Sequence, residues 1–401
     1  MLKPKDNELT MRFIVGILLN LYPSARLWAD PLSARSTISC TRPSIVAVMI
    51  LGILVMACEP SAVRAASEVR VVTVHSVALE KNLLGDPPDQ KLAIYLPAEY
   101  SERPNQRFAV VYFLHGFDDT PVPEVGHIMQ EIIDPLIAAQ HIRPFIVVAP
   151  NGLNRLHGSF YTNSEVTGNW EDYIARDVVQ FVDSHYRTLP NAEARGISGH
   201  SMGGYGALSL AFRHPDIFGS VYAMSPCCTV LDADLSPGSD LWTRVAAFKS
   251  ISDLDSSLPH GAWSPMFAKD LLPVVGVAMN AAFAPQPDAP PFFGHSPFVV
   301  GPRGEQQPDP NALAGYQAHI LTTALPSLIE HALQLKGIFI EYGAEDEFTH
   351  ISVGARALSA AMAQAGIPHT LETYTGSHGS RVRQRIRDSM LPWFSSHLAH
   401  Q

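Results

Sequence analysis

The chain has 401 residues, of which 46% are hydrophobic and 16% are charged, so it can bury a sizeable core and lies far from the composition of disordered proteins. Its formal net charge is −10; residues 1–65 hold seven Lys or Arg against four Asp or Glu, which leaves −13 for the remainder. This acidic balance argues against nucleic acid as a partner, because binding to phosphate needs a basic surface.

An apolar run at residues 44–57 predicts an export signal. It holds no charged residue, follows Arg42, and is shorter than the roughly 20 residues that cross a bilayer. Small residues just before Ala66 predict cleavage there, so residues 1–65 are interpreted as a signal peptide or leader, and the protein is expected to be exported to the periplasm or the extracellular space. Two alternatives remain open: an uncleaved anchor, and a lipid anchor at Cys58, where Val-Met-Ala-Cys resembles a lipoprotein cleavage box.

The four cysteines do not predict a disulfide framework. Cys40 and Cys58 lie in the leader, whereas Cys227 and Cys228 are neighbours. Adjacent Cα atoms are about 3.8 Å apart, below the usual disulfide range of roughly 4.4 to 6.8 Å. We therefore expect Cys227 and Cys228 to be free or only transiently oxidised thiols.

The elements after the leader begin with two strands and then alternate. Residues 69–79 and 92–96 predict an antiparallel pair, and the continuous apolar run at 108–114 is typical of a strand buried on both faces. Helical and strand patterns then alternate: helix 128–140, strand 145–149, helix 171–186, strand 194–198, helix 204–213, strand 221–224, strand 337–341, helix 353–365, strand 370–374 and helix 380–400. Alternation of this kind predicts an α/β fold with a mostly parallel central sheet and helices on both faces.

A long segment separates the sixth predicted core strand from the seventh. Residues 226–335 contain two tryptophans, six phenylalanines and a proline-rich stretch, and connections of this length are usually functional. We interpret the segment as a cap insertion within one domain that spans residues 66–401. The alternative is a surface excursion that merely packs on the core.

A G-x-S-x-G pattern predicts the catalytic nucleophile. Ser201 lies in Gly-His-Ser-Met-Gly, after a strand-like segment and before a helical one. This strand, turn and helix context is the one in which a serine is exposed on a tight turn at the start of a helix. The backbone N–H groups of Met202 and of Phe117, which follows Leu-His-Gly after the buried strand, are the predicted oxyanion donors.

The general base and its acid are expected on late loops at the carboxyl edge of the sheet. His378 follows the last predicted strand directly. Asp346 is the preferred acid in the loop after the preceding strand, with Glu345 second and Glu347 third. The chain order serine, acid, histidine matches that of α/β-hydrolases and differs from that of other common serine hydrolases.

These motifs together resemble the esterase D, antigen 85 and feruloyl esterase-like family of α/β-hydrolases. The resemblance covers most of the chain after the leader. It rests on six segments: residues 114–117, 158–163, 168–173, 199–206, 343–348 and 376–378. It implies a carboxylic-ester hydrolase, although some relatives act on thioesters or transfer acyl groups to sugars.

The expected function is hydrolysis of a carbohydrate or phenolic-acid ester by a serine esterase that forms an acyl-enzyme and needs no metal or cofactor. The expected partner is a small-molecule or carbohydrate-linked ester, with membrane contact only through the leader or a lipid at Cys58. Two rivals remain: an acyltransferase or thioesterase with the same triad, and a catalytically inactive binding protein on this fold.

Overall fold

The computed structural model describes residues 65–119, 122–258 and 265–401, so the predictions for the leader, including Cys58, lie outside the described residues. The central feature is an eight-stranded sheet with the spatial order β1-β2-β4-β3-β5-β6-β7-β8. Its strands are β1 (Glu68–His75), β2 (Asp89–Leu96), β3 (Val110–Leu114), β4 (Ile146–Pro150), β5 (Arg195–His200), β6 (Ser220–Met224), β7 (Gly337–Gly343) and β8 (Thr370–Tyr374).

The sheet is parallel except at one edge. β1 pairs antiparallel with β2, β2 pairs antiparallel with β4, and every other neighbouring pair is parallel. The predicted antiparallel opening and mostly parallel sheet are therefore confirmed. Two short hairpins lie outside this sheet, Asn163–Ser164 with Gly168–Asn169 and Phe298–Val300 with Gln306–Pro308.

The helices in the described part of the chain connect these strands and cover the sheet. They are α1 (Ala98–Glu102), α2 (Val122–Ala138), α3 (Trp170–Asp172), α4 (Val179–His185), α5 (Met202–Arg213), α6 (Asp240–Ala247), α7 (Ile251–Ser256), α8 (Pro265–Phe283), α9 (Pro310–His319), α10 (Leu321–Ala324), α11 (Ile329–Ala332), α12 (Thr349–Gln364), α13 (Val382–Arg385) and α14 (Leu391–His397). π-helical turns join α3 to α4 at Tyr173–Val178 and α13 to α14 at Ile386–Met390.

The core lies on both faces of the sheet, because successive side chains of a strand point to opposite sides. Along β3, Val110, Tyr112 and Leu114 belong to one apolar cluster, whereas Val111 and Phe113 belong to the other. The first cluster includes α5 and α12, and the second includes α2 and α14. Helices on both faces are thus confirmed.

Several predicted boundaries differ from the structure; for example, the predicted helices 128–140 and 353–365 begin earlier, at Val122 and Thr349, and the predicted helix 171–186 is divided by a π-helical turn. The first predicted strand, 69–79, ends at His75, and Val77–Leu79 forms a 3₁₀ turn. The Asp177 carboxylate accepts hydrogen bonds from the Ser76 hydroxyl and from the Ala78 N–H, which offers this backbone a partner other than a strand. The last predicted helix, 380–400, is divided by the π-helical turn Ile386–Met390.

The insertion between β6 and β7 has structure of its own and is continuous with the core. It holds α6 to α11 and the second short hairpin. Trp242 and Tyr316 are fully buried, and both belong to the same apolar cluster as β3 and α5. The insertion therefore packs on the core, and it also reaches the cavity described below.

Candidate active site

Ser201 occupies a strained turn between β5 and α5. Its φ of 57° and ψ of −116° lie outside the regions that side chains other than glycine favour, and such residues cost on the order of 1–3 kcal/mol. Close backbone packing forces the turn: a Cβ at Gly203 would lie 2.0 Å from the Leu114 carbonyl oxygen. A Cβ at Gly199 would lie 2.4 Å from the Gly203 carbonyl oxygen, so both flanking positions require glycine.

A buried histidine and carboxylate lie beside this turn. His378 Nδ1 is 2.8 Å from Asp346 Oδ2, and the two side chains are 3% and 0% exposed. Because a carboxylate accepts, the Nδ1–H donates and Nε2 remains as the basic nitrogen of the ring. The other Asp346 oxygen accepts the Phe348 N–H at 3.0 Å, which fixes the carboxylate on the imidazole.

The loop between β7 and α12, here called the acid loop, holds three carboxylates with different surroundings. Glu345 is exposed. Glu347 accepts the backbone N–H of His378 at 2.9 Å. The Asp346 carboxylate bonds the imidazole ring itself, so the structure brings together the pair that the sequence analysis preferred.

His200 connects the histidine loop to the serine turn. Its Nε2–H donates to the His378 carbonyl at 2.9 Å, and the two imidazole rings are 4.6 Å apart. His200 precedes Ser201 directly, so this contact joins the loop of the predicted base to the turn of the predicted nucleophile. Ser201 and His378 also line one cavity.

The two predicted oxyanion donors lie next to the serine. Met202 is the first residue of α5, where a backbone N–H has no acceptor within the helix. Gly116, which precedes Phe117, lies so close to the serine that a Cβ there would be 3.7 Å from Ser201 Cβ. The Phe117 and Met202 side chains both line the cavity and both approach Gly158.

His115 fixes the peptide that carries one of these donors. Its Nε2 accepts the Gly152 N–H at 2.8 Å, which leaves the proton on Nδ1. Nδ1–H in turn donates to the Gly116 carbonyl at 2.8 Å. Because N–H and C=O point in opposite directions in a trans peptide, this bond directs the Phe117 N–H away from His115. Burial lowers the pKa of His115 and so favours the neutral form that this arrangement needs.

The cavity beside Ser201 has a volume of about 630 Å³, within the range of small-molecule sites. Its walls are largely aromatic and aliphatic, and polar or charged side chains such as Asp119, His200, His350 and Arg381 also line it. Helix α8 of the insertion supplies part of the wall through Phe267, Leu271, Leu272 and Val275. The insertion thus forms part of the cavity wall, and its role as a cap stays a prediction.

The model of a protein family described as "Putative esterase" matches residues 87–384, well over half of the chain. The chain belongs to this esterase family. It is a carboxylic ester hydrolase with the α/β-hydrolase fold, as the sequence motifs implied.

Solved structures share the fold of this esterase. A structure titled "ferulic acid esterase" is 17% identical with a TM-score of 0.53, over 83% of this chain and 100% of that one. An S-formylglutathione hydrolase from Agrobacterium tumefaciens is 17% identical with a TM-score of 0.51, over 83% and 96%. An S-formylglutathione hydrolase from Staphylococcus aureus is 16% identical with a TM-score of 0.50, over 82% and 100%.

The electrostatics of the esterase site keep a second histidine neutral. The pKa of His200 falls to about 4, because burial disfavours the imidazolium and the neighbouring His378 opposes a second positive charge. A neutral His200 retains the proton on Nε2 that it donates to the His378 carbonyl. It is thus a hydrogen-bond donor to the His378 carbonyl across the neutral pH range.

The sequence analysis missed several residues that support the site. Glu347 and His200 hold the backbone of His378, and His115 holds the Gly116 carbonyl. His115 and His200 had a signal, since each lies within a motif of the esterase. Nothing in the sequence pattern pointed to the backbone contact of Glu347.

Across residues 65–119, 122–258 and 265–401, no group of three or more His, Cys, Asp or Glu side chains is arranged to hold a metal ion. Within the same part of the esterase, no helix combines the length and apolarity needed to cross a membrane.

Proposed function

We propose that this esterase cleaves its substrate through an acyl-enzyme, with Ser201 as nucleophile, His378 as general base and Asp346 as the acid that orients the base. The observation that carries the proposal is the buried Asp346–His378 pair at 2.8 Å, on a loop bonded to the strained Ser201 turn. Strained backbone of this kind persists where a site requires it.

The proposed reaction proceeds in two balanced steps. In acylation, His378 Nε2 removes the Ser201 proton as the serine oxygen attacks the ester carbonyl, and the same proton then goes to the leaving alcohol. In deacylation a water molecule takes the place of the alcohol, and its attack releases the acid and restores the serine hydroxyl.

Charge develops at two places in the transition state, and the proposal assigns a group to each. The N–H groups of Phe117 and Met202 stabilise the oxyanion; loss of one such donor costs on the order of 3–4 kcal/mol. Asp346 stabilises the imidazolium that forms on His378, since its carboxylate accepts the Nδ1 proton.

The proposed substrates are carbohydrate or phenolic-acid esters. The aromatic lining of the 630 Å³ cavity supports an aromatic group, and its polar side chains support hydroxyl groups. We also propose that the esterase acts after export, in the periplasm or outside the cell, either free or held by a lipid on Cys58.

The test is hydrolysis of p-nitrophenyl esters from acetate to decanoate, with methyl ferulate alongside. We expect Ser201→Ala and His378→Ala to lower kcat by on the order of 10⁵ to 10⁶, whereas Ser184→Ala, at an exposed serine of α4, keeps full activity. Equal rates in the purified esterase and its Ser201→Ala variant would contradict the proposal. Transfer to an added sugar that exceeds hydrolysis would replace it with an acyltransferase, and a preference for thioesters with a thioesterase.

A further inference from the structure

We propose that His350 determines substrate choice by accepting a hydrogen bond from a hydroxyl group of the ester substrate. This inference rests on the proposed function, because it concerns the cavity that holds Ser201. His350 lies in the first turn of α12, shortly after the acid loop, and lines that cavity together with Ser201 and His378.

A carboxylate from the insertion holds the His350 ring. Asp234 lies in the 3₁₀ turn Ala233–Leu235, before α6. One of its oxygens is 2.7 Å from His350 Nδ1 and accepts the His350 backbone N–H at 2.9 Å, while the other accepts the Thr349 N–H at 3.0 Å. Burial of Asp234 acts in the opposite direction, but the facing His350 and these hydrogen bonds still lower the pKa of the carboxyl group.

The ionised Asp234 fixes the tautomer of His350. A carboxylate accepts, so Nδ1 carries a proton, and in the neutral imidazole Nε2 then has a lone pair that can only accept. His350 as a whole is only 2% exposed, and its Nε2 is buried. Within the described part of the chain, this nitrogen has no hydrogen-bond partner. Buried nitrogen atoms of this kind are rare in folded proteins, because an unmade hydrogen bond is costly.

The surroundings of His350 make a bound ligand the natural source of the missing donor. Phe348 and Ile351 are apolar, and both line the cavity with it. A substrate that enters the cavity brings its own polar groups, and the proposed carbohydrate and phenolic-acid esters carry hydroxyl groups. An analogue without the hydroxyl would leave Nε2 unpaired, which is how sites that bind a hydroxyl discriminate strongly.

His350 is a separate element from the proposed triad. Asp346 already orients His378, whereas the Asp234–His350 pair joins the insertion to α12. His350 is therefore expected to change the choice between substrates while the reaction at Ser201 continues.

The experiment compares substrates that differ in one hydroxyl group. The pairs are methyl ferulate against methyl 3-methoxycinnamate, for the acyl side, and 2-hydroxyethyl acetate against ethyl acetate, for the alcohol side. The variants are His350→Leu, which removes the acceptor, and His350→Gln, whose amide oxygen can accept; His350→Phe replaces the leucine variant if that one does not fold. Hydrolysis of p-nitrophenyl acetate, which has no hydroxyl group, reports the intact reaction centre.

We expect the unaltered esterase to favour the hydroxylated member of at least one pair, and His350→Leu to reduce that ratio of kcat/KM by roughly 10- to 100-fold. His350→Gln should keep part of the preference. A loss of structure would also lower the hydrolysis of p-nitrophenyl acetate, so the ratios are compared only in variants that keep that activity. Unchanged ratios in both pairs, or no preference in the unaltered esterase, would overturn the inference. The proposed function fails separately, if Ser201→Ala leaves the hydrolysis of p-nitrophenyl acetate intact.

Discussion

The substitution Asp346→Asn tests the orientation of the proposed base. In the structure one Asp346 oxygen accepts from His378 Nδ1 at 2.8 Å and the other accepts from the Phe348 N–H at 3.0 Å. An asparagine has one oxygen for these two donors. If the oxygen stays on the Phe348 N–H, the amide NH₂ faces Nδ1 and favours the tautomer with its proton on Nε2, which cannot accept the serine proton. If the amide is instead rotated by 180°, its NH₂ group faces the Phe348 N–H, and neither of these two donors has an acceptor.

Both orientations also lose the negative charge that stabilises the imidazolium. We expect kcat to fall by about 10⁴, which corresponds to about 5 kcal/mol of transition-state stabilisation. The assay is the steady-state hydrolysis of p-nitrophenyl acetate, with thermal unfolding measured in parallel. Glu345→Gln is the matched control, because it removes the charge of an exposed neighbour, and it should change kcat less than about 3-fold. A fall of less than 10-fold for Asp346→Asn, or a larger loss for Glu345→Gln, would refute this assignment of the acid.

Further predictions concern residues around the site. His115→Phe removes the donor to the peptide that carries the Phe117 N–H, so kcat should fall roughly 10- to 100-fold with KM nearly unchanged; an equal change in KM would contradict this role. The pKa of folded His200 lies near 4, below the unfolded value near 6.5. The free energy of unfolding should therefore fall as pH drops from 6.5 to 4, by at most about 3 kcal/mol. Urea denaturation at several pH values checks this, because the His200→Gln variant should lose this contribution to the pH dependence. Burial raises the pKa of the Cys228 thiol, so iodoacetamide should modify it only after unfolding. Gly203→Ala should destabilise the esterase by more than about 3 kcal/mol in the same denaturation assay, because its Cβ would meet backbone.

The parts of the site that sequence predicts best are those with local signals. The turn at Ser201 needs glycine at both flanking positions, so the steric requirement is written in consecutive residues. His378 follows the end of a strand, and the carboxyl ends of parallel strands meet at one edge of the sheet. Local patterns and strand order were therefore sufficient to place both residues.

The choice among the three carboxylates was less certain from sequence, because it depends on the conformation of one turn. In the structure the Glu345 N–H donates to the Gly376 carbonyl and the Asp346 N–H donates to the Gly343 carbonyl. These bonds decide which of three consecutive side chains faces the imidazole, and no spacing rule reveals them.

Long-range pairs were beyond the reach of sequence reasoning. The His350–Asp234 contact joins residues that are 116 positions apart. Histidine and aspartate occur often at helix starts and in turns, so neither residue carries a distinctive pattern. The pair exists only because the insertion folds back against α12, and such a contact requires the three-dimensional structure.

The measurement that tests the central claim most directly is covalent trapping of the nucleophile. The esterase is treated with a fluorophosphonate, which reacts with activated serine hydroxyls, and the modified peptide is mapped by mass spectrometry. The account predicts one adduct per chain, on Ser201, together with loss of ester hydrolysis. It predicts no adduct in Ser201→Ala and a much slower reaction in His378→Ala. An adduct on another serine, or full activity in a protein modified at Ser201, would contradict it.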